Sequence, residues 1–201
     1  MNPKGLPSVD EQTAEPTTRR RLLALAGLAG AATAAAIARP TSAAPTAPSP
    51  TDAALLSAAL GAELAAANLY QMAIDAGADD ELFTVLQSNH EQYAERLGAT
   101  IGRSPDTVDE GVVSEWASVF DSSDVAAVAE EAVEFEQSLV ATHLEQLEEL
   151  ESSQAITLSA SILVVEARQA SLLAARAGGG VDEMLATDRS PLTLTTPAGD
   201  A

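Results

Sequence analysis

The sequence predicts an all-α domain, four helices packed as two hairpins with one long crossover between the second and the third. Three observations carry this. Only 3% of the 201 residues are aromatic while 46% are hydrophobic, most of them Ala and Leu; that leaves little for a broad sheet core and suits closely packed helices. Helix stops and starts punctuate the chain in a regular order, and between them apolar residues recur every three or four positions. The first helix spans about Asp52–Ala76 and the second about Asp79–Ile101; each opens on acidic residues and closes before a glycine, Gly77 or Gly102, suited to the C′ position. Arg103-Ser104-Pro105 then opens the crossover, which holds a short amphipathic piece from Val112 to Phe120 around Trp116. Ser122-Ser123-Asp124 caps a third helix, about Asp124–Glu151, and Ser152-Ser153 caps a fourth that runs to about Ala177. Gly178-Gly179-Gly180 reads as a helix stop, with neither a strand before it nor a helix start after it to make a phosphate cradle. Residues 178–201 form a C-terminal tail, loosely packed from 181 onward.

The amino end reads differently. A polar stretch is followed by Thr18-Arg19-Arg20-Arg21-Leu22-Leu23 and an uncharged run from Leu22 to Ala38. Arg39-Pro40 closes that run before the small residues Thr41-Ser42-Ala43. This is a basic region followed by a hydrophobic region too weak in Leu, Ile and Phe to make a good membrane span. The paired arginines and leucines resemble a twin-arginine export signal, with cleavage expected after Ala43. That resemblance implies a mature protein in the extracellular space, the cell envelope or the periplasm, with no integral membrane span once the signal is removed. Residues 44–51, with Pro45, Pro48 and Pro50, read as a Pro/Ala/Ser-rich linker. The domain organisation is therefore 1–43 signal, 44–51 linker, 52–177 bundle and 178–201 tail.

Composition excludes several chemistries. With no Cys there is no disulfide, thiolate nucleophile or Cys-ligated metal site, and the single Lys, Lys4, leaves no amine for a Schiff base or a P-loop further on. No G-x-S-x-G elbow occurs. After loss of residues 1–43 the chain keeps 27 acidic and 5 basic side chains, an excess that opposes binding to nucleic acid and to anionic lipid. Such a charge also suits a saline habitat or a generally acidic proteome. Association into a homo-oligomer is compatible with the sequence, and no partner protein is indicated by it.

The apolar stripes are each interrupted once at similar depth. Glu63 sits among Leu56, Leu60, Ala67 and Tyr70; His90 among Phe83, Leu86, Tyr93 and Leu97. Glu136 lies among Ala129, Val133, Leu139 and Val140, and Glu166 between Ile162 and Ala170. They fall 11, 11, 12 and 13 residues into their helices, which at ~1.5 Å per residue puts all four near mid-bundle. Buried carboxylates cost several kcal/mol each unless compensated, roughly speaking. One answer is a single divalent ion, Fe, Mn or Zn, since carboxylate oxygen and imidazole nitrogen suit all three. The other is no cofactor at all, with protonated glutamates bonded to Gln87 and Gln169, the amides one turn from His90 and Glu166. Tyr70, Tyr93 and His143, on neighbouring turns, read as aromatic core or as relays for protons or electrons.

These residues resemble the ligand pattern of ferritin-like di-metal carboxylate proteins, in which two helices each give one Glu and two give a Glu-x-x-His pair. The resemblance implies a ferritin-like four-helix bundle with metal ligands Glu63, His90, Glu136 and Glu166. Glu63 and Glu136 match the single glutamates, and the stretches Glu63 to Tyr70 and Glu136 to His143 share one spacing, as an internal repeat would. The pairs are each short of one ligand: Gln87-x-x-His90 has Gln in place of Glu, and Glu166-x-x-Gln169 has Gln in place of His. Glu166-Ala167-Arg168-Gln169-Ala170 and Asn89-His90 are similar to stretches in twin-arginine-exported, ferritin-like domain proteins of bacteria. Three glutamates balance one divalent ion better than two, so Gln87 and Gln169 are placed around the ligands and not among them. The function implied is an exported bundle of non-catalytic structural or binding role whose metal site has lost ligands. The alternatives are a mononuclear metal-binding protein and a di-iron-type oxidase or ferroxidase at the same cluster.

Overall fold

The structure is a computed structural model and describes residues 47–195. The export signal expected over 1–43, residues 44–46 of the linker and residues 196–201 of the tail lie outside the described residues. Six helices and no strand occur among the described residues: α1 (Pro50–Asp75), α2 (Glu81–Ile101), α3 (Glu110–Phe120), α4 (Val125–Glu149), α5 (Ser153–Ala177) and α6 (Val181–Met184).

Each long helix begins where a side-chain oxygen meets the free N–H groups of its first turn. Ser49 accepts from the N–H of Asp52 with Pro50 at the first helical position, so α1 starts inside the expected linker. Asp80, Asp109, Asp124 and Ser152 cap α2, α3, α4 and α5 in the same way. Gly102 and Gly178 end α2 and α5 with φ of 70° and 85°, the left-handed conformation that a side chain resists. The triple glycine is followed by the single turn of α6, which the sequence did not announce because it has no polar N-cap side chain. α4 has no glycine at its end; Leu150 turns extended, and the carboxylate of Asp52 accepts the N–H groups of Glu151 and Ser152 at 2.8 and 3.0 Å. A fully buried acid at the start of α1 therefore satisfies the α4–α5 turn.

α1 packs along α2, and α4 along α5, as the short turns require, and the two hairpins meet through α1 against α4 and α2 against α5. Alanines at 62, 65, 66 and 73 line the buried side of α1 and let its neighbours approach closely. The crossover helix α3 lies on α1 and α4: Val112 and Phe120 are buried, and Trp116 meets the ring of Phe135 edge-on at 5.2 Å. Two apolar clusters fill the interior. One holds Leu69, Tyr70, Phe83, Phe120, Phe135 and Leu173, the other Leu56, Leu60, Tyr93, Leu97 and Ile162. Along all four long helices the change from one cluster to the other falls at Glu63, His90, Glu136 to His143, and Glu166, so the polar interruptions form a layer between two apolar halves.

The segment after α6 is not loose. Leu192 and Leu194 pack against the larger cluster. The N–H of Leu192 donates to Thr142 Oγ1 at 2.8 Å, and that of Thr195 to Asp109 Oδ2 at 2.7 Å. Arg189 pairs with Glu134. By length and composition α1 and α5 are each apolar enough to cross a bilayer, yet each carries a buried glutamate in its middle.

The Asp52 contact gives a first prediction. Replacing Asp52 by Ala leaves two N–H groups of the α4–α5 turn without their charged acceptor, a loss of about 2 kcal/mol and a fall in Tm of roughly 5 °C. Calorimetry of wild type and Asp52→Ala checks it, and equal melting temperatures would remove Asp52 from any structural role.

Candidate metal centre

Glu63, His90, Glu136, His143 and Glu166 are all fully buried and lie in contact. The ring of His90 spans two carboxylates, Nδ1 at 2.7 Å from Glu63 Oε2 and Nε2 at 3.1 Å from Glu136 Oε1. His143 reaches across from α4, its Nε2 3.1 Å from Glu63 Oε1 and 3.2 Å from Glu166 Oε1, with Nδ1 3.3 Å from Gln146 Oε1. Tyr70 donates its hydroxyl to Glu136 Oε1 at 2.5 Å and stacks on His90. Gln169 donates to Glu136 Oε2 at 3.3 Å while its own oxygen accepts from Asn89 at 3.0 Å. Glu166 differs from its neighbours: its Oε1 is within ion-pair distance of His143, but the Nε2 proton is directed at Glu63, and neither oxygen of Glu166 receives a hydrogen bond.

The electrostatics follow from these contacts. Burial works against the charge on Glu63, but the hydrogen bonds and positive charge of His143 and His90 outweigh it and hold its pKa down to about 2. Burial likewise works against a charged His90, and Glu136 and Glu63 on its two nitrogens raise it to about 10. His143 is raised well above the usual imidazole value against the same burial, by Glu166 and Glu63. Glu166 is pushed up to about 7, by burial first and by the negative charge of Glu63, with His143 opposing. Tyr70 is raised well above an ordinary phenol by burial and by the charge of Glu136, and stays a donor. Without a metal the layer is thus two imidazolium cations among three carboxylates, one of which readily takes a proton.

The residues fit one cation. Glu63, His90 and Glu166 each offer a ligand atom, and the three atoms lie within 4.8 Å of one another; oxygen and imidazole nitrogen together suit Fe, Mn or Zn. Two divalent ions are poorly matched, because three carboxylates face four positive charges. Of the positions singled out in the sequence, Glu63, His90, Glu136, Glu166 and Gln169 come together. Gln87 does not join them: its amide nitrogen turns to Gln71 Oε1 at 2.7 Å and to Glu91, at the partly exposed seam of α1 and α2. His143 and Tyr70, read from the sequence as core or relay positions, are direct partners of the carboxylates. The signal for both was the shared spacing of Glu63 to Tyr70 and Glu136 to His143.

A helical bundle with a buried Glu/His group able to hold a metal defines the class of protein. The profile of the ferritin-like domain family matches residues 51–178, and the chain belongs to that family. No curated protein and no solved structure matches the chain.

The titrations predict how metal-free protein responds to pH. Glu63, depressed, contributes stability above its unfolded value of 4.5 and loses it as pH falls toward 2. His90, raised, contributes below 6.5 and loses it as pH rises through about 10. Glu166, also raised, favours folding below 4.5 and loses that as pH rises through about 7. Stability of chelator-treated protein is therefore expected to peak near pH 4.5, to fall toward pH 2 as Glu63 takes a proton, and to fall above 4.5, first as Glu166 ionises and then as His90 gives up its proton. Thermal melts across pH check this. In His90→Gln the alkaline loss shrinks while the surface charge is unaltered; an identical alkaline limb in that variant contradicts the assignment.

Proposed function

We propose that this protein is an exported ferritin-like bundle that holds one divalent cation at its centre, in competition with protons. The observation that carries the reading is Glu166: a fully buried carboxylate whose oxygens receive no hydrogen bond, beside Glu63 and His90 with ligand atoms within 4.8 Å. A cation there supplies a fixed positive charge, and if it is iron or manganese a redox couple. Glu63 and Glu166 supply negative charge, and the helices hold both without water around them. His90 presents a nitrogen only after giving up a proton, so binding is expected to release protons and to strengthen as pH rises. Arg19-Arg20 with Leu22-Leu23, and the small residues before Pro45, support export by the twin-arginine route. That route carries proteins already folded, which suits a site buried inside a bundle.

A second reading is supported by one observation. Both ring nitrogens of His90 and of His143 face acceptor oxygens, so the layer is able to compensate itself with protons. In that case the bundle is a metal-free structural or binding protein. Elemental analysis of the protein recovered after export, beside Glu63→Ala/Glu166→Ala, separates the two readings. Metal near one equivalent in wild type and none in the pair is expected. Stably helical, metal-free protein carries the second reading. For export, Arg19→Lys with Arg20→Lys is expected to leave the precursor inside the cell, and normal secretion of that variant would exclude the twin-arginine route.

A further inference from the structure

Resting on the single-cation reading, we infer that His143 is the fourth ligand of the centre, together with Glu63, His90 and Glu166, while Glu136 is a positioning residue that orients His90 from behind. Position 169, where the resemblance places the second imidazole, holds an amide, so the missing nitrogen must come from elsewhere if it is supplied at all. His143 brings it from α4: its Nε2 lies 3.1 Å from Glu63 Oε1 and 3.2 Å from Glu166 Oε1, between two of the three residues whose ligand atoms cluster.

The three carboxylates are not equivalent. Glu136 takes the Tyr70 hydroxyl and His90 Nε2 on one oxygen and the Gln169 amide on the other. Two of those donors, a phenol and an amide, are not displaced by losing a proton, so Glu136 is already occupied. Glu63 is hydrogen-bonded by the two imidazoles, Nδ1 of His90 on one oxygen and Nε2 of His143 on the other. Both of those nitrogens become available when the rings deprotonate. Glu166 has only the ion-pair contact of His143 Nε2, 3.2 Å from Oε1, and no hydrogen bond directed at either oxygen. A cation therefore finds open oxygens on Glu63 and Glu166 and two imidazole nitrogens directed at Glu63. The remaining ring nitrogen of His90 faces Glu136, the carboxylate-to-histidine support that fixes the ring of many metal ligands.

The internal repeat explains how the site became one-sided. Seven residues after its single glutamate, each hairpin sends a side chain to the glutamate of the other: Tyr70 to Glu136 Oε1, and His143 to Glu63 Oε1. The second helix of each hairpin then serves its own glutamate through Oε2, His90 for Glu63 and Gln169 for Glu136. The two halves share one arrangement, but one is furnished with two imidazoles and the other with a phenol and an amide. Only the first is able to ligate a cation.

The test uses the exported protein, stripped with chelator and titrated with copper(II) as a paramagnetic probe. Pulsed electron paramagnetic resonance is expected to count two imidazoles in wild type and one in His143→Gln, whose copper affinity falls by more than about 100-fold, beyond the range typical of an outer partner. Glu136→Gln is expected to keep both imidazoles and lose roughly 10- to 100-fold in affinity, with a changed quadrupole coupling of the remote nitrogen of one ring. Copper bound through one imidazole in wild type, or two still counted in His143→Gln, overturns the role of His143 and leaves the single-cation reading intact. An unchanged remote-nitrogen signal in Glu136→Gln overturns the positioning role. No binding of copper or of iron, manganese or zinc to wild type overturns both readings together. Should His143→Gln fail to fold by circular dichroism, the wild-type count alone decides.

Discussion

The structure depends on one constraint: three carboxylates and two imidazoles sit in a layer from which water is excluded. Such groups are tolerated only when their charges nearly cancel and their polar atoms are matched. Each long helix delivers at least one member at the same height, and the apolar clusters above and below seal it. Moving any one helix by a turn, about 5.4 Å, would strand a charge against leucines. The layer therefore works as a register lock for the bundle as much as a candidate site.

That lock explains features remote from it. The alanine face of α1 allows α2 and α4 to come close enough for single side chains to span the interior. Asp52 fixes the α4–α5 turn to the start of α1, and Asp109 ties the crossover to the C-terminal segment while its N–H meets Gly61 O at 3.0 Å. These contacts hold the ends of the helices, so the height of the central residues is set from both sides. The family match over residues 51–178 spans α1 to α5 with the crossover, and the C-terminal segment that Asp109 holds lies beyond it.

Much of this was legible in the sequence, for physical reasons that differ by element. Most helix limits were readable because they are written locally, in an N-cap oxygen or a left-handed glycine, whereas the end of α4 is closed by the distant Asp52. Glu63, His90, Glu136 and Glu166 were readable as interruptions of an apolar period. His143 was harder, since its partners, Glu63 and Glu166, lie on other helices 80 and 23 residues away in the chain, and periodicity reports a face and not a partner. Gln87 shows the reverse error: three residues from His90 it shares a face by period, but a long amide near a hairpin seam finds Gln71 before it finds the centre. The C-terminal segment was missed because Leu192 and Leu194 pack without any helical repeat to announce them.

The charge balance explains why one site can accept either protons or a metal. Two imidazolium ions carry two positive charges; one divalent cation with two neutral imidazoles carries the same. With Glu166 ionised in both, exchanging one state for the other leaves the net charge of the buried layer unchanged, so neither requires the helices to separate or water to enter. A second divalent ion breaks that equality, adding two positive charges where positions 87 and 169 both hold neutral amides. Nor is Glu136 free to compensate, since Tyr70, Gln169 and His90 already hold it. The arithmetic of the layer thus favours a centre for one cation, and the same arithmetic keeps the bundle folded when that cation is absent.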